Sequence, residues 1–195
     1  MKVGLLGASS FVGQHLIPLL LDKGFSVVGF SRKPPENSEG IEWRQVPMEP
    51  LSQEEIPLWI SVAPIWVLPD YFRFFQAHKA QRVVALSSTS RFTKENSSDP
   101  QERRVAQRLR EAEEHFTSWA NKNKVSWIIL RPTLIYDWGK DKNLTEVARF
   151  IEKFGFFPVF GKAEGLRQPI HASDVAAASL EALLKKERAN KAYNI

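Results

Sequence analysis

The stretch Gly7 to Gly13, GASSFVG, has the residue types of a phosphate-binding turn. It follows the apolar start Met1-Lys2-Val3 and runs into an apolar, helix-like segment. Gly7 suits a tight turn, Gly13 lets a helix pack closely on a sheet, and the residues between them (Ser9, Ser10, Phe11, Val12) aim backbone N–H groups at an anion. A dinucleotide fingerprint would have glycines at 7, 10 and 13. Position 10 is a serine, which narrows the approach of a pyrophosphate while offering a hydroxyl in return.

The end of the second apolar segment bears on which nucleotide fits. An NAD site usually carries an acid there to hold the ribose hydroxyls. This chain has Ser31, Arg32 and Lys33, with no acid until Glu36. Two cations and a hydroxyl suit a 2′-phosphate, so NADP is favoured, with NAD as the alternative.

Other reactive side chains form no known pattern. His15, His78, His115 and His171 lack metal-ligand spacing, so no metal is expected. Ser88 to Ser90 have no base nearby in sequence, which argues against a hydrolase triad. Asp137, Asp141 and Asp174 form no acid pair, and Asp174 reads as a first-turn acid favoured by a helix dipole. Histidine is a common acid–base residue type, but His171 stands just before a helix cap, where a histidine is more often structural.

These residues sit on alternating strand-like and helix-like segments. Strands are expected at 2–6, 25–30, 41–47, 58–64, 82–88 and 125–132, with a last one at KAYNI. Helices are expected over 11–23, with Pro18 inside and Gly24 as the stop, and over 70–80, 100–121 and 144–154. A further helix is expected to be capped by Ser173 and Asp174 and to end near Lys186. On the longest helix, Val105, Leu109, Ala112 and Phe116 share one face. Continuous β-branched strands between helices imply an α/β fold: one three-layer, Rossmann-type, doubly wound domain over 1–195 with a mostly parallel sheet.

Composition sets the outer bounds. The 195 residues suffice for one domain with a sizeable core, and the 43% apolar and 25% charged fractions are those of a soluble globular chain. No apolar run is long enough to span a membrane, and no secretory signal is read at the N-terminus. With no cysteine, disulfides, thiolate metal sites and a Cys nucleophile are excluded. A cytoplasmic location is expected. The net charge of +5 comes largely from Arg103, Arg104, Arg108 and Arg110 and from Lys185, Lys186 and Arg188. Both groups lie beside acids (Glu111, Glu113, Glu114, Glu187), as on solvated helix faces, and no nucleic-acid partner is expected.

In GASSFVG, RVVALSSTS, RPTLIY and RQPIHASDVAAA, taken in that order, the chain resembles the short-chain dehydrogenase/reductase superfamily in its extended and atypical branches. It is most similar to the NAD-dependent epimerase/dehydratase (nucleoside-diphosphate-sugar epimerase) family. The resemblance implies that residues 7–13 hold a pyrophosphate and Arg32 the adenosine ribose end. It places Ala63 and Pro64 along the riboses, Ser88 at the family's catalytic serine, and Pro132 and Thr133 beside the nicotinamide. His171 to Asp174 matches a segment that caps a helix near the substrate side.

The same resemblance exposes two departures. The family's Tyr-x-x-x-Lys pair moves the proton while hydride passes to or from the nicotinamide. Here the tyrosines are Tyr71, Tyr136 and Tyr193, and the nearest alignment puts Arg104 and Arg108 at the pair's positions. Arg108 remains a candidate for a cofactor ribose or phosphate, and Tyr136 is a candidate for a substitute proton donor, although a tyrosine at this position is common packing in the family. The family also usually continues past the YNI strand, so residues 136–170 are expected to form a reduced substrate-side lobe. Its Phe154, Phe156, Phe157, Val159 and Phe160 are expected as buried packing, with a pocket lining or a homodimer contact as alternatives. The sequence therefore points to an NADP-binding, epimerase-like or reductase-like protein with a degenerate active site and an unknown small-molecule substrate. A non-catalytic nucleotide-dependent sensor or accessory subunit is the alternative.

Overall fold

Strand β1 (Lys2–Leu6) is buried along nearly its whole length and lies inside a seven-stranded sheet, third from one edge. It pairs in parallel with β2 (Ser26–Ser31) on one side and β4 (Leu58–Ser61) on the other. Beyond β2 lies β3 (Glu42–Gln45); beyond β4 come β5 (Arg82–Leu86), β6 (Ser126–Arg131) and β9 (Lys191–Asn194). Every pairing is parallel, in the order β3-β2-β1-β4-β5-β6-β9. The computed structural model describes residues 1–35, 40–46, 54–158 and 168–195.

Helices cover both faces, because strands without a polar side cannot leave either face in water. On one face, α1 (Phe11–Asp22) and α6 (Ala172–Leu184) pack Leu16, Leu20, Val175 and Leu180 against Val3, Leu5 and Val84. On the other, α2 (Phe72–Ala77) and α4 (Pro100–Lys122) bring Phe75, Leu109 and Phe116 against Phe30, Trp59 and Ile129. Gly4 makes that second layer possible: a Cβ there would stand 2.4 Å from the Trp59 ring, which lies across β1.

The expected elements are largely present, with informative differences. The helix expected over 70–80 is a 3-10 helix, Ile65–Tyr71, followed by α2; Pro69 lacks the amide that a longer α-helix needs. The short α3 (Ser90–Thr93) and the two-stranded parallel pair β7 (Leu134–Tyr136) and β8 (Pro169–His171) are too brief to show a period. The cap of α6 is His171, whose Nδ1 accepts from the Ser173 amide, rather than Ser173 or Asp174, and the helix ends at Leu184. On α4, Val105 is 39% exposed and Ala106 takes the buried position. Glu113, expected in water, is buried.

The largest departure concerns α5 (Leu144–Phe154). Phe154, Phe156 and Phe157 are exposed, not buried, because they gather around Phe150 on their own helix instead of meeting the sheet. Val159 and Phe160 lie outside the described residues. Among the described residues, no helix is long and apolar enough to cross a membrane.

Candidate functional site

The sheet order reverses between β1 and β4, and ligands of open α/β sheets bind outside the strand ends at such a point. Two adjoining hollows of about 480 and 360 Å³ occupy this position and share Ser10, Val62, Ala63, Pro64 and Trp66 as walls. Gly7 turns at the cleft edge with φ +84°, a conformation that side chains rarely adopt, and a Cβ there would meet the Ala63 amide at 3.0 Å. Gly13 does not line the cleft. It seats α1 on the turn, since a Cβ would fall 2.5 Å from the Ala8 carbonyl oxygen and 2.7 Å from that of Gly7.

Ser10 proves to be the N-cap of α1. Its Oγ accepts from the Gly13 amide at 3.1 Å, so the serine takes up one of the four unbonded N–H groups of the helix start. The amides of Phe11 and Val12, first in the helix, have no carbonyl one turn back, and both residues line the smaller hollow. The turn thus retains donors for an anion although its middle glycine is missing.

The larger hollow runs from this turn to the end of β2. Ser9 and Ser31 meet hydroxyl to hydroxyl at 2.6 Å, and the Ser31 Oγ also accepts from the Lys33 amide at 3.2 Å. This hydroxyl turn sets Arg32 on the wall of the hollow, and Ser9, Ser31, Arg32 and Lys33 together line an adjoining open recess. Among the described residues no carboxylate lines either space.

The smaller hollow continues to β5 and α4. Ser87, Ser88 and Ser90 line one side, and the Ser88 Oγ accepts from the Ser90 amide at 3.1 Å. The α4 residues that line it, one helical turn apart, are Val105 and Leu109. Arg104 and Arg108, the pair aligned by sequence, are exposed. Arg108 stands outside the cleft lining with its guanidinium 4.7 Å from the centre of the Trp66 indole, so it meets the cleft only through that ring.

Three more expected residues stand outside the lining. Pro132 is buried, and its carbonyl accepts from the Thr89 amide at 3.1 Å. Thr133 donates its amide to the Ile195 carbonyl at 3.2 Å and its hydroxyl to the Gln168 carbonyl. Tyr136 packs edge-on against His171 and Trp138 instead of entering the cleft. Its neighbour Ile135 is the β7 residue that reaches the smaller hollow.

Two polar clusters escaped the sequence reading. Beneath Ser87, the buried Glu113 carboxylate accepts from the Ser87 hydroxyl at 2.6 Å and from Arg131 at 2.9 and 2.6 Å, and it also pairs with Arg91. Burial alone would raise this carboxyl, but the hydrogen bonds from Arg131 and Ser87 overcome it and hold it below the ordinary value. The second cluster joins His15 of α1, Asp137 after β7 and His171 at the head of α6, with one ligand atom of each within 4.8 Å of the others. No sequence spacing marks it, because His15 lies more than a hundred residues before the other two and meets them only when α1 packs on α6.

The family model of the NAD dependent epimerase/dehydratase family matches residues 71–195, more than half of the chain. The chain belongs to this family, and its fold is that of the short-chain dehydrogenase/reductase type. Among solved structures it is similar to the UDP-glucose 4-epimerase of Thermotoga maritima, at 14% identity and a TM-score of 0.77 over all of this chain and 76% of that one. The UDP-N-acetylglucosamine 4-epimerase of Bacillus cereus gives 15% and 0.78 over all of this chain and 75% of that one. The UDP-glucuronic acid 4-epimerase of the same organism, solved with UDP-glucuronic acid and NAD, gives 15% and 0.79 over all of this chain and 77% of that one. At these identities the likeness is one of fold. No curated protein matches the chain by sequence.

Proposed function

We propose that the chain binds a nicotinamide dinucleotide across the two hollows, with NADP(H) preferred, and acts on it through a degenerate active site of epimerase-like or reductase-like ancestry. The observation that carries this reading is the recess of Ser9, Ser31, Arg32 and Lys33 beside a glycine turn that keeps free helix-start amides. Those residues supply hydroxyls and cations where a ribose 2′-phosphate would lie, and fixed charge of the matching sign favours the phosphorylated nucleotide. The Phe11 and Val12 amides would face the pyrophosphate, while Ala63, Pro64 and Ser88 would border the ribose and nicotinamide end. When bound, the dinucleotide supplies hydride chemistry; the chain's own part is to position it and exclude water.

Val105 and Leu109 favour a second reading, a nucleotide-dependent sensor or accessory subunit without turnover. These side chains stand where a proton-transferring pair on α4 would have to face the cleft, and neither carries an exchangeable proton. Titration calorimetry with NADPH and NADH tests the binding that both readings share. Saturable heat with NADPH is expected, and no binding of either nucleotide at millimolar concentration would overturn both. Nicotinamide turnover with any carbonyl substrate, lost on Ser88→Ala, would decide for the enzyme.

A further inference from the structure

We propose that His15, Asp137 and His171 form a binding site for a divalent late first-row transition ion of the zinc or cobalt kind, held by two imidazole nitrogens and one carboxylate. The His15 Nε2 lies 3.1 Å from Asp137 Oδ2, and the His171 Nε2 lies 3.6 Å from Asp137 Oδ1. In a tetrahedral site with metal–ligand bonds of about 2.0–2.1 Å, neighbouring donor atoms stand about 3.4 Å apart. Each imidazole nitrogen thus already has one oxygen of the carboxylate at about that spacing, and one donor atom from each of the three residues closes within 4.8 Å.

The surroundings suit the assignment. Asp137 is buried, and among the described residues the groups paired with its carboxylate are the two imidazoles and the Lys140 ammonium. His171 is oriented from behind: its Nδ1 lies 2.8 Å from the Ser173 hydroxyl. Metal binding through Nε2 moves the ring proton to Nδ1, where the Ser173 hydroxyl can accept it in place of the amide hydrogen bond that Nδ1 receives as the helix cap. The imidazole pair selects against magnesium and calcium, which prefer all-oxygen shells. Three protein donors leave a fourth position for water or a ligand atom.

Lys140 supplies the competing charge. Its Nζ lies 3.0 Å from Asp137 Oδ2, and the side chain is half exposed, so it can swing into solvent when an ion arrives. The metal site thus makes a signed statement about this lysine: removing it strengthens binding. A purely structural ion pair would give no such gain.

The test uses the full chain without a polyhistidine tag or nucleotide, titrated with Co²⁺ and followed by d–d absorption, with Zn²⁺ competition. One equivalent with tetrahedral-type absorption is expected, weakened at least tenfold by His15→Gln and by Asp137→Asn. Lys140→Ala should tighten binding severalfold, and His115→Gln, on the exposed face of α4, should leave it unchanged. Because His171 caps α6, His15→Gln is the decisive variant; His15 caps nothing. Absence of stoichiometric binding, or binding indifferent to His15→Gln, overturns the site. Nucleotide titration of the same sample reads the cofactor proposal separately, so the two can fail independently.

Discussion

Arg131 at the end of β6 donates from Nε and Nη2 to the two carboxylate oxygens of Glu113, at 2.9 and 2.6 Å. This two-point contact ties α4 to the sheet directly beneath Ser87. Removing one member of a buried pair leaves the other charge desolvated and alone, a loss of about 3–5 kcal/mol. Glu113→Ala is expected to destabilise the fold by that amount, read as a lower urea midpoint with an unchanged slope. Exposed Glu114→Ala, one residue along, should change the midpoint little.

That pair also marks how far the sequence was legible. Strand-helix alternation and the parallel sheet followed from apolar runs such as Val83 to Leu86, whose burial on both faces leaves one architecture open. Glu113 was misplaced because helical charge runs look solvated unless the partner, here Arg131 on a separate strand, is known. The cleft-facing pair on α4 was displaced by one position for a related reason. Family alignment selected Arg104 and Arg108, but the helix turns Val105 and Leu109 inward. The phenylalanines after Phe150 were expected in the core on hydrophobicity alone, whereas α5 lies off the sheet and they pack against one another. The glycine turn was legible because Gly7 and Gly13 each fill a steric need that no other residue type meets.

Asp141 predicts a pH effect. Its carboxylate accepts from the Thr145 hydroxyl at 2.6 Å and from the amides of Asn143 and Thr145 at the start of α5. Burial pushes this carboxyl upward, but the Thr145 hydroxyl and the backbone amides prevail and bring it from 3.8 to about 2. A group depressed in the folded state contributes its stability fully above the unfolded value and loses it as pH falls through the folded one. Acid unfolding is expected to steepen between 3.8 and about 2. Asp141→Ala should flatten that limb and cost about 2 kcal/mol at neutral pH, the equivalent of that shift, seen in paired urea titrations.

Arg32 should set the nucleotide preference. If its guanidinium meets a 2′-phosphate, Arg32→Ala removes a charge-assisted hydrogen bond of about 1.5–3 kcal/mol, roughly tenfold or more in Kd. The loss should fall on NADPH, leaving NADH nearly unaffected. Equal weakening of both would mean that Arg32 supports the turn and does not read the phosphate.

Gly13 should be intolerant of any side chain. The Gly13→Ala Cβ would meet two backbone oxygens, of Ala8 and Gly7, which cannot rotate away as a side chain can. Overpacking of this kind costs about 1–3 kcal/mol. The shift it forces on the turn should also abolish nucleotide binding. Gly24→Ala is the comparison: its positive φ is strained, yet open space surrounds the new methyl and the cleft is remote. It should lower stability without changing Kd.

Val105 distinguishes the two halves of the cleft. It lines the smaller hollow beside Ser88 and is absent from the larger one, where Arg32 stands. Val105→Trp adds a bulky ring to a position already 39% exposed toward the cleft, so folding should be spared while the smaller hollow fills. If the nicotinamide occupies that hollow, NADPH binding should weaken at least tenfold. Adenosine 2′,5′-bisphosphate, which needs the larger hollow alone, should bind as to the parent chain. Calorimetry with both ligands separates the outcomes: equal loss would mean that the substitution distorts the glycine turn, and no loss would remove the nicotinamide from this hollow. Only the selective result places the reactive ring against Val105 and Leu109, where neither side chain can pass a proton and the hydroxyls of the wall, Ser88 among them, are left to do so.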